Sequence, residues 1–372
     1  MSKKVVVAGH ICLDITPEIK EQPTGKIQDF LFPGKLINVG AADIHTGGVV
    51  ANTGLAMKFL GADVRLLGKI GNDSFGDMVE SILISHDAAE CLIRKSGEST
   101  SYSVVLAIPG VDRIFLHDPG TNDTFTSDDI PDDLMKDTAL FHFGYPPIMK
   151  KMYENDGEEL VRVMKKAIDS GAATSLDLAA VDPGSEAAKA DWKKILSKVL
   201  PHTDIFVPSV EELCFMLDRE KYYRIRDKAG NLDFTEVLSI EEDIIPLAEK
   251  CLSMGTAVLL IKCGVPGMYY CTAGEERLSK VSPRIAINVK EWKNKQGFEK
   301  SFKPDRVLSG TGAGDTSAAA FLVSILNGCP IEKCAEYAVA TGASCVTAYD
   351  ALSGLMTFPE LDRKIENGWE KL

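Results

Sequence analysis

The chain reads as an α/β protein, with a parallel sheet covered by helices and a small second sheet standing off it. Three observations carry this reading. Short β-branched or aromatic runs recur at 5–11, 64–70, 140–144, 173–178, 205–207, 258–261 and 268–271. Between them lie segments of helical period, such as Asn52, Leu55, Ala56 and Phe59, and later Ala318, Leu322 and Ile325, so strands and helices alternate. That alternation buries a parallel sheet under helices. The third observation is a break in the rhythm. Residues 100–117 run Ser-Tyr-Ser-Val-Val-Leu-Ala-Ile, then Pro109-Gly110-Val111-Asp112, then a second apolar run to His117, which is a hairpin pattern. Together with the Gly- and Pro-rich stretch 17–42, the hairpin makes a small sheet suited to close over a site as a lid, excluding water from reactive groups.

At 372 residues the chain fits one large α/β domain or two smaller ones, and its 45% hydrophobic and 26% charged residues are those of an ordinary folded protein. Lys plus Arg total 41 against 54 Asp plus Glu, a net charge of −13. A surface this acidic repels phosphate backbones and anionic lipid, so no nucleic-acid or membrane partner is expected. The longest apolar stretch near the C-terminus, 318–326, is broken by Ser324 and falls short of the ~18–20 residues of a membrane span. The first strand meets Gly9, His10 and Asp14 before any signal-length apolar run appears, which points to the cytoplasm.

The nine cysteines are scattered and contain no C-x-x-C pair, and the six histidines form no metal-binding spacing, so reduced thiols and no structural metal are expected. Two polar inserts stand out. Residues 218–240 are charge-dense and read as an exposed loop or short helix. Residues 280–306 carry eight bases against three acids and read as a solvated insertion, with attraction of a polyanionic substrate as the other reading.

The most informative string is Gly310-Thr311-Gly312-Ala313-Gly314-Asp315, followed at once by an apolar helical run. Glycines before a helix leave backbone N–H groups open to an anion on the helix N-terminus, where the dipole also favours negative charge. The string is neither a Walker A loop nor G-x-G-x-x-G, because Asp315 occupies the last position. A carboxylate there would repel a merely bound phosphate. It can instead accept a proton from a hydroxyl attacking the terminal phosphoryl group, or simply cap the helix. A second pair, Gly47-Gly48, precedes Asn52 at the start of another helix, and Asp14 follows the first strand. Backbone access, an amide and a carboxylate suit a polyol; a plain turn, a cap and a loop residue are the alternatives.

In these residues the chain resembles the PfkB carbohydrate kinases, the ribokinase-like family of sugar and nucleoside kinases. The likeness covers nearly the whole chain: Gly9-His-Ile-Cys-Leu-Asp14, Gly47-Gly48-Val-Val-Ala-Asn52, Gly68-Lys-Ile-Gly71-Asn72-Asp73, Val207-Pro-Ser209-Val-Glu-Glu212, Lys262-Cys-Gly264-Val-Pro-Gly267 and the Gly310–Asp315 string. The resemblance implies a three-layer ribokinase-like fold with a central, mostly parallel sheet and a small β lid. It implies one kinase domain over 1–372, with lid segments at about 13–45 and 99–120. It assigns Asp315 as base and Gly312, Ala313 and Gly314 as anion hole. It places Asp14, Gly47, Gly48 and Asn52 on the sugar. Ser209, Glu212, Lys262, Gly264, Gly267 and Thr341 fall to the nucleotide side, with ATP and Mg2+ as cofactors and Glu212 toward the metal.

The departures narrow the substrate. Residues 141–146 lack the acid that ribokinases carry after the middle strand. Asp177-Leu178-Ala179-Ala180-Val181 keeps only the Asp of the Asp-x-Asn-x-Arg found in fructokinases and ketodeoxygluconate kinases, which removes an Arg partner for an acidic sugar. Ser209 replaces the usual Asn. Ser309 stands where an Asp organises a monovalent cation, so potassium activation loses its support. The reading is an ATP-dependent sugar kinase. Its rivals are a nucleoside kinase stacking a base on Tyr102 or Phe115, and a sensor that lost catalysis. A homodimer through the lid is open, since sheet edges invite pairing.

Overall fold

The computed structural model describes residues 3–20, 31–108, 114–230 and 232–372. The strands in its first half are β1 (Lys4–Gly9), β2 (Cys12–Pro17), β3 (Ala42–Gly47), β4 (Asp63–Leu67), β5 (Lys69–Gly71), β6 (Ile93–Lys95), β7 (Tyr102–Leu106) and β8 (Ile114–Asp118). The second half adds β9 (Thr138–Gly144), β10 (Ala173–Asp177), β11 (Ile205–Phe206), β12 (Val258–Lys262), β13 (Gly267–Thr272) and β14 (Gln296–Lys300). The longer helices are α1 (Val49–Phe59), α2 (Ser74–Ser85), α3 (Glu158–Asp169), α4 (Trp192–Val199), α5 (Val210–Leu217), α6 (Arg219–Ala229), α7 (Ile245–Ser253), α8 (Ala313–Leu326), α9 (Ile331–Cys345) and α10 (Phe358–Glu366).

The main sheet has the order β14-β13-β12-β11-β10-β9-β1-β4. Pairing is parallel from β4 to β12, and β13 and β14 add antiparallel at the far edge. Its strands are apolar on both faces, as a sheet buried between two helical layers requires. Val5 and Val7 enter the core under α1, α8 and α9, whereas Val6 and Ala8 enter the opposite core, under α3, α4, α5 and α7. The amphipathic α3 turns Leu160, Val163, Met164 and Ala167 to that second core at helical spacing. By contrast α8 is buried along its length from Asp315 to Leu326, because small residues such as Ala318–Ala320 let α1 and α9 close on it.

The run read as one strand over 64–70 is two. Gly68 interrupts it, and a Cβ there would stand 2.7 Å from Ile11 Cγ2. Strand β4 stays in the main sheet while β5 leaves to pair with β6. A four-stranded sheet, β3-β2-β7-β8, stands apart from the main one. In it β7 and β8 pair antiparallel, from Tyr102 opposite Asp118 to Leu106 opposite Ile114. The hairpin turn expected at 109–112 and part of the 17–42 stretch lie outside the described residues.

The polar inserts behave differently from each other. Residues 219–229 are the helix α6, with Tyr222 and Ile225 turned inward. The 280–306 segment is not a solvated insertion: it supplies the edge strand β14, and Val281, Ile285, Trp292 and Phe302 are buried. The apolar residues spaced between its charges anchor it. None of the nine cysteines is paired, and no described helix is long and apolar enough to cross a membrane.

One core residue makes stability depend on pH. His142 on β9 is fully buried with Nδ1 against Ser175 Oγ (3.0 Å). Burial, reinforced by the nearby Lys262 charge, pushes its pKa down to about 3. An unfolded His titrates near 6.5, so the folded chain favours the neutral ring; its contribution is whole above that pH and is lost as pH falls toward 3. Urea denaturation should show about 2 kcal/mol lost to this one ring between pH 7.5 and pH 5. In His142→Leu that part of the pH dependence should vanish; an unchanged pH dependence in the variant would refute the assignment.

Candidate active site

The helices of the first core start where the sheet ends, and two of them begin on a glycine with positive φ. Gly48 (φ 84) precedes α1, and Gly312 (φ 73) precedes α8. A Cβ on Gly312 would meet the Ala351 Cβ at 2.4 Å, so the loop needs glycine for space as well as for backbone angle. Ser309 Oγ accepts from the Thr311 N–H (3.1 Å) and donates to Thr311 Oγ1 (2.9 Å), shaping the approach. Within the predicted anion hole, the Ala313 N–H turns to the Gly310 carbonyl (3.3 Å). Gly314 and Asp315 occupy the first helical turn, where amides have no acceptor inside the helix.

Asp315 is buried, at 5% exposure, yet three donors converge on its carboxylate. Asn52 Nδ2 donates to Oδ2 at 3.0 Å; Tyr145 OH and Thr53 Oγ1 donate to Oδ1 at 2.7 and 3.3 Å. Helix α1 therefore brings its first turn to Asp315. It also carries Gly47 and Gly48 at its start, and Asp14 lies so close that a Cβ on Gly47 would stand 2.1 Å from Asp14 Oδ2. Thus Asp14, Gly47, Gly48, Asn52 and Asp315 meet in one place. Burial raises the Asp14 pKa, and hydrogen bonds from Cys12 and Ser103 pull against that shift.

A second cluster adjoins the glycine loop. Lys262, at the end of β12, holds both oxygens of the fully buried Asp177, at the end of β10, at 2.7 Å each. The Lys262 ammonium lies 3.7 Å from where a Gly314 Cβ would be. Burial alone would lower the Lys262 pKa; Asp177, Glu212 and Asp315 outweigh it and keep the ammonium charged. Ser209 and Glu212 form a capping box on α5, with the Ser209 N–H donating to Glu212 Oε2 (2.7 Å) and the Glu212 N–H to Ser209 Oγ (3.2 Å). Ser209 also bridges to Lys262 in the sheet, so this pair sits beside the ammonium.

The remaining residues that the resemblance assigns to the nucleotide have structural reasons of their own. Gly264 (φ 64) is exposed in the turn before β13 and packs on Thr235 of the 218–240 insert. At Gly267 (φ 138) the backbone of β14 approaches so closely that a Cβ would fall 2.1 Å from the Glu299 carbonyl oxygen. Thr341 is buried on α9, and its hydroxyl has no hydrogen-bond partner. Tyr102, a candidate for base stacking, packs against Phe75.

Several residues here escaped the sequence reading. In the sequence Tyr145 marks only the absence of an acid, yet its hydroxyl contacts Asp315. It sits in left-handed backbone (φ 68, ψ 36), a conformation that costs a non-glycine residue ~1–3 kcal/mol and that clusters at functional sites. Thr53 and the Asp177–Lys262 pair were also missed. The one available signal was position, since Tyr145, Asp177 and Lys262 all stand at the carboxyl ends of β-strands, where open α/β sheets place their ligands.

Residues 2–357 match the profile of the pfkB family carbohydrate kinases. An uncharacterized sugar kinase of Archaeoglobus fulgidus is 25% identical over 304 residues, covering 81% of this chain and 98% of its own length. Fructokinase-1 of Zea mays is 26% identical over 333 residues, covering 86% and 88%. Among solved structures, the ribokinase of Arabidopsis thaliana complexed with ribose and ATP superposes with a TM-score of 0.69 at 20% identity, over 97% of this chain and 98% of that one.

Proposed function

The chain belongs to the pfkB family of carbohydrate kinases, phosphotransferases with an alcohol group as acceptor, and on that premise we propose that it moves the γ-phosphate of ATP to a sugar hydroxyl with Asp315 as base. The observation that carries the reading is the carboxylate itself: it is buried at the start of α8 and held from three sides by Asn52, Thr53 and Tyr145. With Oδ1 saturated by Tyr145 and Thr53, a lone pair of Oδ2 is left to take the proton of a hydroxyl bound on Asp14, Asn52 and the Gly47-Gly48 backbone. The hydroxyl oxygen then bonds to the γ-phosphorus as the bond to the ADP oxygen breaks, and ADP leaves.

The rest of the site serves the phosphates. The first-turn amides of α8 and the Lys262 ammonium face charge that grows on the transferred group. ATP is the donor that this loop suits, and the Arabidopsis neighbour was solved with it. Mg2+ is an ion bound through one or two carboxylates, water and phosphate oxygens, a donor set to which a single carboxylate such as Glu212 belongs. In this reading Glu212 would hold it, and the ion would supply charge neutralisation on the phosphates. The whole chain acts as one kinase unit in this reading, with the β3-β2-β7-β8 sheet as its lid.

The test is magnesium-dependent ADP release from ATP across hexoses, ketoses, pentoses, sugar acids, sugar phosphates, inositols and nucleosides. Turnover of a sugar supports the proposal. Turnover confined to nucleosides, or none on any acceptor, rejects it.

A further inference from the structure

Two histidines meet at the edge of this site, one from each sheet. His10 follows β1 and is buried; His117 lies on β8 of the lid and is open to solvent on one side. Their Nε2 atoms are 3.3 Å apart, and the rings are 5.1 Å between centroids. On its other side, His117 Nδ1 is 3.0 Å from Ser103 Oγ, and the Ser103 hydroxyl bonds to Asp14. Strand register explains the alignment, since Asp14 lies opposite Ser103 and Ser103 opposite His117. A line of polar groups therefore runs from the body, across the lid, to the carboxylate assigned to the sugar.

One order of protons satisfies this line, with the Tyr102 backbone as a further neighbour of the His117 ring and Cys12 as a further neighbour of Ser103 and Asp14. The carboxylate of Asp14 only accepts, so the Ser103 O–H donates to it and the Ser103 oxygen is free to accept from His117 Nδ1–H. A neutral His117 then has a lone pair on Nε2, which takes the N–H of His10 Nε2. Burial lowers the pKa of both rings; the His117 charge adds to this at His10, while Asp14, Asp118 and Asp123 oppose it at His117. This order leaves His10 Nδ1 as an unprotonated nitrogen, and among the described residues it is one of four buried side-chain atoms with no hydrogen-bond partner.

The glycine pair makes room for both ends of the line. A Cβ on Gly47 would strike Asp14, and one on Gly48 would stand 2.6 Å from His10 Nδ1. We propose that His10 and His117 are positioning residues for Asp14: through Ser103 they orient the carboxylate that receives the sugar. The proposal rests on Asp14 as the sugar-binding carboxylate, and the experiment separates the two.

Long-range 1H–15N spectra of the histidine rings in the ligand-free, full-length protein read the tautomers directly. At pH 7 His117 should carry its proton on Nδ1 and His10 on Nε2, and Ser103→Ala should remove the single tautomer at His117. Kinetics with each sugar that supports ADP release then read the role. His117→Phe should raise the sugar KM about tenfold, the loss of one positioning hydrogen bond, with the ATP KM within twofold and the effect on KM rather than kcat. His117→Asn, which keeps a donor near Nδ1, should restore most of the affinity. An unchanged His117 tautomer in Ser103→Ala, or an unchanged sugar KM in His117→Phe, overturns the proposal. An Asp14→Asn variant with normal sugar KM would instead overturn the sugar-binding role of Asp14 itself.

Discussion

Asp315→Asn is expected to cut kcat by about a hundred- to ten-thousand-fold, the usual worth of a general base, while nucleotide affinity stays within a few-fold. The substitution is close to isosteric, and the site can absorb it. An amide oxygen in the Oδ1 position still accepts from Tyr145 and Thr53, and Asn52 can turn its own amide so that its oxygen receives the new NH2. Thermal unfolding within a few degrees of the parent chain would show that the fold is kept. Steady-state ADP release and nucleotide titration decide the matter, since near-normal turnover in this variant removes Asp315 from the chemistry. The residue would then be a buried anchor for Asn52, Thr53 and Tyr145 rather than the helix cap that the sequence also allowed, since α8 is capped by Gly312 with no side-chain bond.

Lys262→Met should lose both turnover and stability. Asp177 is fully buried, and removing its ammonium leaves an uncompensated charge in the interior, which costs about 3–5 kcal/mol. Adding Asp177→Asn removes that charge as well, so the double variant should recover most of the stability, and the coupling appears as a strongly non-additive cycle in urea denaturation. Turnover should not return, because the cation beside Gly314 is still missing. Two additive losses would show that the ion pair is not coupled. Recovered turnover in the stable double variant would show that Lys262 serves only to neutralise Asp177.

Legibility followed the range of the interactions. The alternation of strands and helices, the β7–β8 pair and the glycine loop before α8 are local in sequence, set by period and turn chemistry within a few residues. They could be read without a fold. The 280–306 insert could not, because its eight bases dominate any window, whereas what holds it are the isolated Ile285, Trp292 and Phe302, whose partners lie far away in the chain.

The site divides in the same way. The sequence by itself determined which residues have the right chemistry: Asp315 with its glycines, Asp14, Gly47, Gly48, Asn52, Lys262 and Glu212 all stand in recognisable strings. Only the tertiary structure decided what touches what. Asn52 turns out to hold the Asp315 carboxylate, Tyr145 comes to it from 170 residues away, Asp177 reaches Lys262 across 85, and His10 meets His117 across 107. Parallel strands are joined by long crossovers, so their carboxyl ends, which build the site, are neighbours in the sheet and strangers in the sequence. A spacing pattern carries no record of such a contact; the packing of α1 and α8 against the sheet creates it.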